Sequence, residues 1–89
     1  MTRAPDITKI PSSVRLLEWQ RMDPLREWSD GQQLLVAVPV RRGGIDDQWA
    51  YELDVVQIDC DVDRFRVTCN GEVWGWDLDD ADYYVEIHG

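Results

Sequence analysis

Histidine is almost missing from this chain: His88 is the only one. Cysteine is nearly as scarce, with Cys60 and Cys69 alone and no Cys-x-x-Cys spacing. A zinc site needs four such ligands, so these three residues make a poor one. No apolar run approaches the about 20 residues that span a bilayer. The opening Met1-Thr-Arg-Ala-Pro-Asp lacks the apolar core of a secretory leader, so a cytoplasmic protein is expected. Internal repeats and low-complexity tracts are absent. There is no Gly-x-Ser-x-Gly elbow to present a nucleophile, and Arg42-Gly43-Gly44 reads as a turn rather than a phosphate cradle. Paired carboxylates could serve glycosidase-type chemistry, but 89 residues rarely enclose the cleft it needs. The expectation is a binding protein and not an enzyme, with no catalytic residue, cofactor or metal assigned.

Basic residues are few, and they are unevenly placed. Residues 1–44 hold seven bases against five acids. Residues 45–89 hold thirteen acids and only Arg64 and Arg66, a local charge of −11 within a total of −9. That balance argues against direct binding to nucleic acid. A sign asymmetry of this kind sets up a field that steers partners of opposite charge. Solubility is the plainer use of the same acids.

What is abundant is aromatic surface: five Trp, three Tyr and one Phe in a single short domain. Residues 1–11, bounded by Pro5 and Pro11, read as an extended arm, and 12–89 as one globular domain. Ser12 or Ser13 can cap a short helix from Val14, with Val14, Leu17 and Met22 as its inner stripe. Alternatively, Trp19–Met22 forms a short edge strand. Asp23-Pro24 can start a further helical turn to Trp28. From Leu34 to Val40 the composition is that of a buried strand, with Pro39 pushing its end toward an edge. Trp49 to Cys60 is a long strand whose apolar phase flips at Val55–Val56, which predicts a bulge or strong bend.

Asn70-Gly71 is a strong two-residue hairpin signal. It pairs Cys69 with Glu72, Val67 with Trp74 and Phe65 with Trp76. A preceding turn at Val62-Asp63 pairs Asp61 with Arg64, Asp59 with Arg66, Cys60 with Phe65 and Ile58 with Val67. One face then collects Val56, Ile58, Cys60, Phe65, Val67, Cys69, Trp74 and Trp76, while the other sets acids against arginines. In this register the two sulfurs lie roughly 13 Å apart, at ~3.3 Å per residue, beyond disulfide reach, so both are expected as buried thiols. A last strand, Tyr83 to His88, points Tyr83, Val85 and Ile87 inward and Tyr84, Glu86 and His88 outward. Trp19, Trp28 and Trp49 are expected in the core.

Two acidic stretches invite a metal reading. Asp59-x-Asp61-x-Asp63 has calcium-loop spacing, but Arg64 stands where the loop needs Gly and Asn70 where it needs Glu. Asp77-Leu-Asp79-Asp80-Ala-Asp82 also lacks the glycine. The second stretch reads better as a contact surface. Asp77, Asp79, Asp80, Asp82 and Glu86 would form a charged rim around an exposed Tyr84.

Glu18-Trp19-Gln20-Arg21-Met22, followed by Ser29-Asp30-Gly31 and Leu34-Leu35-Val36-Ala37-Val38, resembles a small uncharacterised phage and prophage domain over about a quarter of the chain. The chain is also similar in type to the anti-CRISPR and anti-restriction inhibitors of phages, which are short, often acidic, and block host machinery by DNA mimicry. That likeness implies a stoichiometric inhibitor acting in the host cytoplasm. Its partner would be a basic nucleic-acid-binding surface, met through Asp77, Asp79, Asp80, Asp82, Tyr84 and Glu86. An immunity protein against a basic toxin, or an accessory phage protein without inhibitory activity, fits the same charge. The fold expected is α+β: a four- to five-stranded antiparallel meander with the N-terminal helical segment packed on one face.

Overall fold

A computed structural model describes residues 5–23, 26–41, 49–60 and 65–87. Six strands run in the order β1 (Gln20–Arg21), β2 (Gln32–Arg41), β3 (Trp49–Cys60), β4 (Phe65–Cys69), β5 (Glu72–Val73) and β6 (Tyr83–Ile87). They form one antiparallel sheet with the spatial order β1-β6-β2-β3-β4-β5. Strands β2 to β5 are the expected meander. Strand β6 returns to the far side of β2, as the last strand of a Greek key does. Residues 74–82 make that return across one face of the sheet.

Among the described residues there is no α-helix, only single 3-10 turns at Ile7–Lys9 and Leu78–Asp80. The domain is sheet-rich, and the helix expected from Val14 to Met22 is replaced by isolated turns. Val14 N–H donates to Pro11 O at 3.0 Å and Leu17 N–H to Val14 O at 3.2 Å. Gln20 and Arg21 then pair with Tyr84 and Tyr83. A short helix has a costly nucleus, and an open strand edge offers the same backbone groups ready partners. The alternative reading, a short edge strand within Trp19–Met22, is the observed one. The helical turn expected over Pro24–Trp28 lies partly outside the described residues, and Arg26–Trp28 show no regular structure.

The sheet carries a separate apolar cluster on each face. Leu34, Val36, Val38, Val56, Ile58, Val67 and Tyr84 form one, covered by Trp74, Leu78 and Ala81 from the return segment. Ala37, Tyr51 and Tyr83 form the other, covered by Ile10 with Val14 and Trp19 packed alongside. Residues 5–11, expected within an extended arm, contribute a 3-10 turn and the fully buried Ile10. Arg15 fastens this segment by donating to Ile10 O (Nε at 3.1 Å) and Thr8 O (2.7 Å). Lys9 lies over the Trp49 ring, 4.8 Å from its centroid.

This two-faced arrangement corrects the expected bulge. The β2–β3 register runs unbroken from Gln32–Ile58 to Arg41–Trp49. The apolar phase flips because the covered face changes along β3: Tyr51 lies under the N-terminal segment, Val56 and Ile58 under the return segment. Val55, just past the cover on its own face, is 52% exposed.

The hairpin register is as expected where it can be compared. Cys60 pairs with Phe65, Asp59 with Arg66, Ile58 with Val67 and Cys69 with Glu72, and Trp74 N–H donates to Val67 O. Asn70 and Gly71 both have positive φ, as a type I′ turn requires. The Asp61–Arg64 pair, the Val62-Asp63 turn and the Phe65 side chain lie outside the description. The face lineup needs two corrections. Strand β5 stops at Val73 and the chain bends at Gly75–Trp76, so Trp76 leaves the sheet and is 41% exposed while Trp74 is 8%. Cys60, at the strand end, is exposed; both cysteines are free thiols. Pro39 sits past the last β2–β6 pair, Ala37–Tyr83, where β2 has no second neighbour among the described residues to require an N–H from it.

Trp74→Ala should therefore cost about 3–5 kcal/mol, and Trp76→Ala under about 1.5 kcal/mol, in denaturant unfolding. Equal costs would put Trp76 back in the core. A second outcome concerns Tyr51, whose hydroxyl donates to Asp82 Oδ2 at 2.8 Å and accepts Asp6 N–H at 3.1 Å. Burial, reinforced by the Asp82 carboxylate, pushes its ionisation well above the usual tyrosine range. The folded state thus favours the protonated phenol. That contribution is present below the unfolded value of about 10 and lost as pH rises beyond it. Stability should fall more steeply above about pH 10 in the parent protein than in Tyr51→Phe, measured by chemical unfolding across that range.

Candidate functional site

The residues expected to form one outward array are divided by the fold. Asp77, Asp79 and Asp80 are exposed on the return segment, with Asp80 Oδ2 accepting the Asp77 N–H at 2.9 Å around the Leu78–Asp80 turn. Asp82 is half-buried and accepts the Tyr51 hydroxyl. Glu86 is also half-buried, paired with Arg26 and accepting Gln32 Nε2 at 3.2 Å. Tyr84, expected exposed, is 2% exposed and lies in a core cluster.

Arg26 explains the last two placements. Its guanidinium sits 4.7 Å from the Trp28 ring centroid and 5.2 Å from that of Tyr84, pairs with Glu86 and donates to the Tyr84 hydroxyl. Trp28 meets Tyr84 edge-on with centroids 5.2 Å apart. The Tyr84 hydroxyl in turn donates to Gln20 Oε1 at 3.0 Å. An aromatic with a guanidinium over its face and a satisfied hydroxyl can be buried without loss. Strict alternation along β6 could not reveal this, because Tyr83 and Tyr84 point to opposite faces and both faces are covered there.

Two of the outward acids, Asp77 and Asp79, border a hollow. It is half-open, about 650 Å³ in volume, and lies at the β4–β5 edge. Trp74, Trp76 and Val73 supply apolar wall, with Val73 69% exposed. Asp59, Asp77 and Asp79 line it too, against one base, Arg66. The Asp59 carboxylate accepts hydrogen bonds from Gln57 Nε2 (2.9 Å) and Thr68 Oγ1 (3.4 Å). Below the rim, Trp74 Nε1 donates to Asp54 Oδ2 at 3.2 Å, which fixes the inner indole. The sequence signal for this hollow was Gly75, since a glycine within a strand pattern marks a bend.

Among the described residues no three His, Cys, Asp or Glu side chains are grouped to hold a metal ion. Of the calcium-spaced triplet only Asp59 is described. No described helix is long and apolar enough to cross a membrane. No family model, curated protein or solved structure matches the chain.

The Arg26 cluster can be checked by a double-mutant cycle. Arg26→Met should cost about 1–3 kcal/mol, less than a fully buried pair because both side chains are partly exposed. Combined with Glu86→Gln, the cycle should return a coupling of at least about 0.5 kcal/mol. Additive losses would mean the pair contributes nothing.

Proposed function

We propose that this chain is a stoichiometric, non-catalytic binding protein that covers a basic, nucleic-acid-binding surface of a host protein, with Asp77, Asp79 and Asp80 standing where phosphates would. The observation that carries the reading is the separation among acids. Asp82 and Glu86 are half-buried and bound to side chains of other segments, whereas Asp77, Asp79 and Asp80 are exposed together, with Asp77 and Asp80 bonded only to the backbone of their own turn. Residues 45–89 carry thirteen acids and two bases, so the long-range field of this half is negative. A groove built to bind phosphate gains Coulomb energy from such an array and excludes like-charged competitors. The likeness to small acidic phage inhibitors supports the same reading. An immunity protein would use the same surface on a toxin, and the identity of the partner separates the two.

The test is competition. Once a partner is purified, the protein should displace a labelled nucleic acid from it in a polarisation assay at one-to-one stoichiometry. Asp77→Lys with Asp79→Lys should abolish displacement, since like charges then face each other. Affinity should also fall between about 0.05 and 0.5 M salt as screening shortens the field. Displacement that survives both changes would remove the acidic surface from the interface.

A further inference from the structure

Trp76 is an anomaly for a small core. A tryptophan is the largest apolar side chain available, yet this one is 41% exposed beside Val73 at 69% and lines a half-open hollow. The hollow is not simply apolar. Among the described residues, three acids (Asp59, Asp77 and Asp79) and one base, Arg66, line it; both Asp59 oxygens already accept hydrogen bonds from Gln57 and Thr68, so Asp77 and Asp79 are the carboxylates left to meet a guest. An aromatic face carries negative potential, so ring and carboxylates favour the same kind of guest, a cation.

The molecule shows which cation suits such a site. On the same face of the sheet, Arg26 lies over Trp28 and Tyr84 while its guanidinium pairs with Glu86. Arginine stacks flat on an indole and still offers in-plane donors to a carboxylate. The hollow provides both halves of that arrangement, an indole and carboxylates. No contact between Arg66 and the Trp76 ring accompanies it among the described aromatic–cation pairs. The volume, about 650 Å³, admits a side chain together with part of its backbone.

We infer that this hollow is the anchor point of the interface, and that it receives an arginine side chain of the protein partner over Trp76, with a rim carboxylate on the guanidinium. The inference rests on the basic-partner reading and sharpens it: the general field brings the partner in, and one arginine seats it. Arg66 opposes the guest, so its removal strengthens binding. An anionic guest would require the reverse.

The experiment is an NMR titration of the intact protein, ¹⁵N-labelled, with the peptide acetyl-Arg-Gly-Arg-Gly-Arg-amide. The expected result is a saturable shift of the Trp76 indole N–H. Trp76→Ala should weaken binding about tenfold and Trp76→Phe less, while Arg66→Gln tightens it. The Trp74 indole N–H, bonded to Asp54, reports whether each variant remains folded. Undiminished binding by a folded Trp76→Ala protein, with loss in Asp77→Lys/Asp79→Lys, overturns the anchor and leaves the acidic surface standing. Binding indifferent to that charge reversal overturns the broader reading as well. Equal binding of the corresponding glutamate peptide, or no saturable shift at Trp76, also overturns the anchor.

Discussion

Ten consecutive residue pairs between β2 and β3 form the ladder on which everything else is mounted. Its length matters less than its two-sidedness. A sheet whose second face meets water needs one cover, and its strands alternate cleanly. Here each face is covered over a different stretch, by the N-terminal segment on one side and the return segment on the other. The two covers meet through β6. Met22 N–H donates to Asp82 O at 2.9 Å and Asp82 N–H to Ala37 O at 3.0 Å, so both are tied to the sheet at one corner. Tyr51 adds a third tie there, linking Asp6 to Asp82 through its hydroxyl.

That corner also shows how an acidic chain stabilises a core from few bases. Arg15 holds the backbone of two residues, Thr8 and Ile10, in place through three hydrogen bonds, and Arg26 closes the gap between Trp28, Tyr84 and Glu86. Both come from the first 44 residues, where bases outnumber acids. The charge asymmetry of the sequence is partly neutralised in the fold where Arg26 reaches Glu86 in the acidic half. An unpaired Glu86 on a strand beside buried Tyr84 would carry a desolvation penalty that the guanidinium offsets.

The turn signal in the sequence was sound, while the cap signal at Ser12–Ser13 produced isolated turns in place of a helix. Asn70-Gly71 demands positive φ at both residues, and that demand fixed the register of β4 and β5 without knowledge of the rest. The reading failed where a residue's environment depends on a segment distant in sequence. Tyr84 is buried by Arg26 and Trp28, 58 and 56 positions earlier, and periodicity within β6 holds no trace of them. The phase flip at Val55–Val56 was a true signal with the wrong cause, because alternation reports which face is covered and not whether the backbone is bulged. Of the candidate site, the acidity of Asp77–Asp80 was legible. The hollow was not, since extending β5 to Trp76 placed its wall inside the core.

The same bend that spoils the simple hairpin gives the acidic segment its setting. Had β5 run on to pair Trp76 with Phe65, the indole would have covered the sheet and the chain would have had farther to travel back to β6. By leaving at Gly75, the chain turns Trp76 partly outward and starts the Leu78–Asp80 turn, which buries Leu78 and exposes the aspartates on either side. Leu78 and Ala81 are the apolar residues that hold this segment to the sheet, so Asp77, Asp79 and Asp80 are displayed from an anchored backbone. Solubility is served as well by acids scattered over the surface, without the mutual repulsion that clustering brings. Clustered carboxylates on a fixed segment, beside an indole that the core does not enclose, carry a cost in repulsion and exposed apolar area that solubility does not require. A cationic partner of the kind proposed would offset both at once, by neutralising the aspartates and covering the ring.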